Sequence, residues 1–157
     1  MRTPVLLVVH HTASPALHSL FDAVMTGAAR ANDPAAPVDV VARPALTCSA
    51  VDVLGADGYV LGTPANLGYM SGALKHFFDT VYYPCLEATP GRPWACYVHG
   101  NNDTTGALRS IQTVVTGLRW QLAQAPLEFT GPPAPADLEA CAELGAAMAA
   151  TVALAGR

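Results

Sequence analysis

The sequence contains few charged residues and no basic cluster. Asp, Glu, Lys and Arg make up 13% of its 157 residues, and the formal net charge is −4. This charged share is about half that of an average soluble domain. The lack of basic clusters argues against binding to nucleic acid or to anionic membranes. A surface so poor in charge is often covered in part by other subunits, so we expect a homodimer or a homotetramer.

The sequence also lacks a long apolar run, a leader segment and any paired cysteine motif. No stretch approaches the roughly 18 apolar residues that a membrane span needs, and a strand pattern begins too close to Met1 for a signal peptide. Cys48, Cys85, Cys96 and Cys141 are scattered, without a C-x-x-C pair or the spacing of metal ligands. We therefore expect a cytoplasmic protein with reduced thiols, no membrane span and no metal.

Short apolar runs alternate along the chain with apolar residues at helical spacing, a pattern typical of βαβ units around a parallel sheet. Strands are predicted at residues 5–9, 38–42, 58–62, 94–98 and 126–129. The continuous run "VLLVV" (5–9) indicates a strand that is buried on both faces. We predict a single α/β domain over residues 1–157, a three-layer sandwich in which "TGPPAPAD" (130–137) is a turn before a final Ala-rich helix.

Ligands of such sheets bind beyond the carboxyl ends of the strands. The segments that follow the first, third and fourth predicted strands are "HHTASPA", "TPANLGYMSG" and "HGNNDTTG". In the first of them, Ser14 fits as the N-cap of a helix and Pro15 as its first residue. Because a helix N-terminus attracts anions through its unpaired N–H groups, this loop is a candidate phosphate site. An ordinary capped helix without a ligand is the alternative.

Several groups of the first loop can donate hydrogen bonds to a phosphate. The candidates are the hydroxyls of Thr12 and Ser14, the amides of Ala16 and Leu17, and the imidazoles of His10 and His11. The two histidines are otherwise polar residues at the end of a strand. Since neighbouring strand residues point to opposite faces, the pair is a poor metal site.

The stretch "GTPANLGYMSGALKHFFD" (62–79) resembles the FMN-binding loop of the flavodoxin-like superfamily, in its NAD(P)H-dependent FMN and quinone reductase branch. That branch carries the pattern G-[ST]-P-x-[YW]-x-[GN]-x-[MP]-S-G-x-[LM]-K-x-[FW]-[FIL]-D after its third strand. The residues that match are Gly62, Thr63, Pro64, Met70, Ser71, Gly72, Leu74, Lys75, Phe77, Phe78 and Asp79. The resemblance implies a flavodoxin-like sandwich with a five-stranded parallel sheet in the order 2-1-3-4-5.

The resemblance also implies that FMN is the cofactor and that this second loop borders its flavin ring. The residues implied are Thr63, Pro64, Ala65, Asn66, Leu67, Gly68, Tyr69 and Met70. Ala65 stands where the family often has an aromatic residue, so Leu67 or Tyr69 is expected to cover the ring. In the first loop, Ala13 and Ala16 replace hydroxyl residues of the family, so backbone amides are expected to bind most of the phosphate.

In the third loop, His99, Gly100, Asn101 and Asn102 are expected at the pyrimidine edge of the flavin, where an amide side chain both donates and accepts hydrogen bonds. A polar turn in which Asp103 or Thr104 caps the next helix is the alternative. His99 is a conceivable proton donor, and no other catalytic side chain is predicted.

The function implied by the resemblance is electron transfer from NAD(P)H through FMN to a quinone, a flavin or a similar small-molecule acceptor. Two other interpretations remain open. One is a flavodoxin-type carrier, although such carriers are usually strongly acidic so that they steer to their partners. The other is a degenerate flavin-binding or flavin-free interaction module, which the altered first loop keeps open.

Overall fold

The structure, a computed structural model, describes residues 2–155. Its strands are β1 (Val5–His10), β2 (Asp39–Pro44), β3 (Gly58–Asn66), β4 (Tyr69–Met70), β5 (Pro93–Gly100), β6 (Gln121–Leu122) and β7 (Leu127–Thr130). Its helices are α1 (Pro15–Arg30), α2 (Ala50–Leu54), α3 (Gly72–Cys85), α4 (Thr105–Leu118) and α5 (Pro135–Ala155).

The sheet confirms the predicted fold class. Its order is β2-β1-β3-β5, and both β6 and β7 then pair with β5. All of these pairs are parallel. Since β1, β2, β3, β5 and β7 are the five predicted strands, the order 2-1-3-4-5 is correct for the core of the sheet.

Over residues 2–155 the sheet has seven strands, two more than the five predicted. The two additional strands, β4 and β6, are two residues long each. Two residues are too few to show an alternation of apolar and polar side chains. The helix α2 was also not predicted, because its five residues are too few to show an apolar pattern at helical spacing. The sequence does carry its capping box at Ser49 and Asp52.

The core lies in two layers, one on each face of the sheet. Helices α1 and α5 cover the face that carries Leu6, Val8 and Tyr97. Helix α3 and its neighbours α2 and α4 cover the face that carries Leu7 and Val9. Successive residues of β1 therefore point into different layers, and both layers are apolar, which is why the strand reads as one continuous apolar run.

Helices α1 and α5 are in backbone contact. A Cβ placed on Gly27 of α1 would lie 1.8 Å from the carbonyl oxygen of Ala142 in α5. A Cβ placed on Gly145 of α5 would lie 2.1 Å from the carbonyl oxygen of Val24 in α1. The absence of a side chain at these two glycines is what allows the helices to approach so closely.

Helix α5 is long and apolar enough to cross a membrane, judged by its length and composition alone. The prediction from uninterrupted apolar runs did not find it, because Asp137, Glu139 and Glu143 interrupt the sequence of the helix. In the structure its apolar residues Cys141, Leu144 and Met148 are buried in the layer that α5 shares with α1. Core helices pass the same test of length and hydropathy.

Candidate functional site

A cleft of about 620 Å³ lies at the carboxyl ends of the central strands. We call it the edge cleft. Four segments line it, and their lining residues are Ala13, Ser14, Pro15, Ala16, Leu17, Ser19, Pro64, Ala65, Asn66, His99, Gly100, Asn101, Gly131, Pro132 and Pro133. Its position is the one at which sheets of this kind bind their ligands, and its volume is that of an ordinary small-molecule site.

The first turn of α1 forms one end of the edge cleft. Ser14 is the N-cap, Pro15 is the first helical residue, and the Leu17 N–H donates to Ser14 Oγ over 3.2 Å. The predicted cap is therefore present, but it uses the Leu17 amide, which we expected to bind phosphate. Among the hydrogen bonds of residues 2–155, the Ala16 amide has no partner. This amide and the Ser14 hydroxyl are the donors that remain for an anion.

His10, His11 and Thr12 do not line the edge cleft. The ring of His10 lies on Phe21 with centroids 4.1 Å apart, and its Nδ1 is 2.7 Å from Thr12 Oγ1. Desolvation by burial, and secondarily the nearby charge of His11, lowers the pKa of His10. His11 Nδ1 is buried and has no hydrogen-bond partner within the described chain. The phosphate roles of these three side chains remain predictions.

The second predicted loop is a strand followed by a hairpin. Strand β3 runs on to Asn66, and Asn66 pairs with Tyr69 of the antiparallel strand β4. The two turn residues have positive φ, 52° at Leu67 and 73° at Gly68. These values are those of a type I′ turn, the tight connection favoured by the twist of antiparallel strands. The expectation of a loop that starts after Gly62 was therefore wrong.

The hairpin brings part of the predicted flavin loop to the edge cleft. Pro64, Ala65 and Asn66 line it, whereas Thr63, Leu67, Gly68, Tyr69 and Met70 do not. Thr63 and Met70 are buried and bonded within the protein, since Thr63 Oγ1 accepts from the Ser71 N–H and the Met70 N–H donates to Ser110 Oγ. The side chains of Leu67 and Tyr69 are exposed, so the expected aromatic or aliphatic cover over a flavin ring is not in place.

Leu67 occupies a backbone conformation that suits asparagine or glycine, and its side chain is 106% exposed. We expect Leu67→Asn to raise the free energy of unfolding by about 1 kcal/mol, because asparagine tolerates the left-handed conformation better than leucine does. Chemical denaturation measures the difference. Leu46→Asn is the matched control, since Leu46 is 62% exposed and has no positive φ. Equal effects of the two substitutions would contradict the expectation.

The end of β5 supplies three more lining residues. His99, Gly100 and Asn101 face the edge cleft, and Asn102 lies outside it. His99 is 8% exposed, and its Nε2 lies 2.7 Å from the carbonyl oxygen of Gly131. A carbonyl only accepts, so Nε2 carries the proton. In that tautomer Nδ1 of the neutral ring carries no proton, so the ring has no free N–H for the predicted proton-donor role, which stays a prediction.

The turn after β5 leads into α4, whose N-cap Thr104 makes no side-chain capping bond, and the residue before it bonds the first helical amide instead. Asp103 Oδ1 accepts from the Thr105 N–H over 3.0 Å, and this bond is the first cause of the lowered pKa of the Asp103 carboxyl. The hydroxyl of Thr104 donates to Glu128 of β7 over 2.8 Å. The same segment thus lines the cleft and connects the start of α4 to β7.

Residues 131–133 form a fourth wall of the edge cleft that was not predicted. They stand in the stretch "TGPPAPAD", which was interpreted only as a turn before the last helix. The signal was available, because this stretch follows the carboxyl end of the fifth predicted strand, where ligand loops belong. Residues 131–133 themselves carry no polar side chain, so their residue types gave no indication of a ligand site.

The lining of the edge cleft contains no acidic, lysine or arginine side chain and no phenylalanine, tyrosine or tryptophan ring. Among residues 2–155, no group of three or more His, Cys, Asp or Glu side chains is placed to hold a metal ion. The four cysteines are free and buried, and desolvation raises the pKa of Cys48, Cys96 and Cys141 to about 12. These thiols are therefore protonated at neutral pH and are poor nucleophiles.

No protein-family model and no curated protein matches the chain. Solved structures match it closely in fold. A flavodoxin from the domain Archaea superposes with a TM-score of 0.80 at 19% identity, over 94% of this chain and 98% of that one. The flavodoxin, WrbA-like protein from Agrobacterium tumefaciens gives 0.72 at 19% identity, over 99% and 100%.

A flavodiiron protein from Giardia intestinalis gives a TM-score of 0.80 at 14% identity. It aligns with 98% of this chain, which spans only 37% of that larger protein. Identities this low are informative about the fold alone. Together with the strand order and the two helical layers, they show that this chain has the flavodoxin-like fold.

Proposed function

We propose that the edge cleft binds FMN and that the protein is an FMN-dependent oxidoreductase. One observation carries the proposal. The cleft at the carboxyl ends of the strands combines a helix N-terminus that has a free amide with a lining that contains no acidic, lysine or arginine side chain. The free amide and the Ser14 hydroxyl suit a phosphate. The similarity of the fold to flavodoxins supports the same ligand.

The residues present fit FMN. Ser14 and the Ala16 amide would hold the phosphate, and Asn66 and Asn101 offer both donors and acceptors for the polar edge of a flavin ring. The side chains of Pro64, Pro132 and Pro133 offer apolar surface for the ring itself. When bound, FMN supplies hydride and electron transfer, so the chain has to bind, orient and exclude water rather than provide an acid–base pair.

We further propose that NAD(P)H supplies the electrons and that a quinone, a flavin or a similar small molecule accepts them in the cytoplasm. The resemblance of residues 62–79 to the reductase branch supports this choice. The weak charge of the whole chain, −4 with 13% charged residues, supports it over a carrier that is steered to protein partners by an acidic surface. A homodimer or homotetramer, with other subunits covering part of this surface, belongs to the same proposal.

A titration of the flavin-free protein with FMN tests the binding step. We expect saturable quenching of flavin fluorescence with a Kd of about 1 μM or lower, and a visible flavin spectrum in the purified protein. Oxidation of NADH or NADPH with a quinone then tests the reaction. Failure to saturate at about 100 μM FMN, far above the expected Kd, would contradict the proposal and favour a flavin-free module.

A further inference from the structure

The fourth wall of the edge cleft is held by the end of β5. The Gly131 carbonyl accepts from His99 Nε2 over 2.7 Å, and the Gly131 N–H donates to the Gly100 carbonyl over 3.2 Å. Both backbone groups of Gly131 are therefore bonded to two adjacent residues of one strand. We call residues 131–133 the proline wall.

The proline wall is stiff along its length. Pro132 and Pro133 have φ fixed by their rings, and neither can be reoriented by a backbone N–H bond. At its other end the wall runs into α5, where the Ala134 N–H donates to Asp137 Oδ2 over 2.8 Å. Both ends of the proline wall are therefore held by hydrogen bonds.

His99 is the side chain through which this position is set. It sits on the central strand β5, where it pairs with Pro64 of β3 and Phe129 of β7. Its bond to Gly131 fixes the proton on Nε2 and ties the end of β5 to the first residue of the proline wall. The backbone of Gly131 itself is in the left-handed region, with φ of 73°, and a Cβ there would touch nothing within 4 Å.

We infer that His99 is a positioning residue that holds the proline wall against the ring portion of the bound flavin. The inference rests on the proposed function, since it assumes that a flavin occupies the edge cleft. It assigns the two ends of the cleft separate tasks. The N-terminus of α1 binds the phosphate, and the wall held by His99 binds the ring.

The test compares FMN with riboflavin, which has the same ring and no phosphate. His99→Leu removes the donor to Gly131, and we expect it to weaken both ligands by the same factor, about tenfold, which is the usual loss for one hydrogen bond to a carbonyl. His99→Gln keeps an N–H donor that can reach the same carbonyl, and we expect it to restore both Kd values to within about threefold of the unaltered protein.

Gly131→Ala is an independent second variant in case His99→Leu does not fold. It disturbs the wall through the backbone conformation alone, because its Cβ meets open space. We expect the same equal loss for FMN and riboflavin. Circular dichroism and thermal unfolding establish that each variant is folded before its Kd values are compared.

The outcomes separate this inference from the proposed function. Equal losses for the two ligands with rescue by glutamine support it. Unchanged riboflavin binding in both His99→Leu and Gly131→Ala, a loss confined to FMN, or no rescue by glutamine overturns it while FMN binding stands. If the unaltered protein binds neither ligand, the proposed function falls and this inference falls with it.

Discussion

Replacing Gly27 by alanine is expected to destabilise the protein by about 3 kcal/mol, the upper part of the range for overpacked sites. In an ordinary helix the same change stabilises, by about 1 kcal/mol. The sign reverses here because the new Cβ would lie 1.8 Å from the Ala142 carbonyl oxygen. That oxygen belongs to the backbone of α5 and cannot rotate away, so the two helices have to separate and the apolar layer between them and the sheet has to loosen.

Gly72→Ala is the matched control for this prediction. Gly72 is also helical, at the start of α3, but a Cβ there would meet nothing within 4 Å. We expect it to be neutral or stabilising by less than about 1 kcal/mol. Urea denaturation of both variants, at equal m-values, measures the two free energies. A stabilised Gly27→Ala protein would mean that α1 and α5 are not in backbone contact in solution.

Replacing Ala16 by glutamate is expected to weaken FMN binding by about 100-fold and to leave the fold slightly more stable. The side chain would project from the first turn of α1 into the edge cleft, beside the free amide. A carboxylate near a phosphate repels it by up to about 4 kcal/mol at a protein surface. The same carboxylate at a helix N-terminus stabilises the helix by about 0.5 kcal/mol, and α1 has no acidic residue in its first turn.

Two comparisons isolate the charge. Ala16→Gln has the same length without the charge, and we expect it to change the Kd for FMN by less than about threefold. Riboflavin lacks the phosphate, so its binding should respond to glutamate no more than to glutamine. If glutamate weakens riboflavin as strongly as FMN, the phosphate does not lie at the N-terminus of α1. Thermal unfolding of the free protein gives the stability of both variants.

Much of the fold was predictable because long elements leave a pattern. The continuous run Val5–Val9 and the glycine-bounded run that begins at Gly58 predicted buried parallel strands, and both are central in the sheet. The cap at Ser14 followed by Pro15 was predictable from residue type alone, since the N-cap preference is local chemistry. Strands of two residues have no such pattern, so β4 and β6 were not predictable.

The candidate site was predictable only in part, for tertiary reasons. Three of the four segments that line the cleft follow predicted strands at which a site was expected, but which side chains enter the cleft depends on turn geometry. The type I′ turn at Leu67 turns the hairpin tip outward, although a leucine there gives no signal for that turn. The bond between His99 and Gly131 joins residues 32 positions apart, and no local pattern reports it.

The contact between α1 and α5 has a mechanical consequence for the edge cleft. The first turn of helix α1 lines the cleft, and α5 begins shortly after the proline wall. Because these helices meet backbone to backbone, with no compressible side chain between them at Gly27 and Gly145, the two boundaries should move as one rigid body. The β3–β4 hairpin is held in a similar way, because the Gly68 carbonyl oxygen at its tip packs against Gly106 of α4, although the Leu67 side chain is exposed. Adjustment of the cleft to ligands of different thickness then has to come from side chains such as Asn66 and Asn101 rather than from movement of its walls.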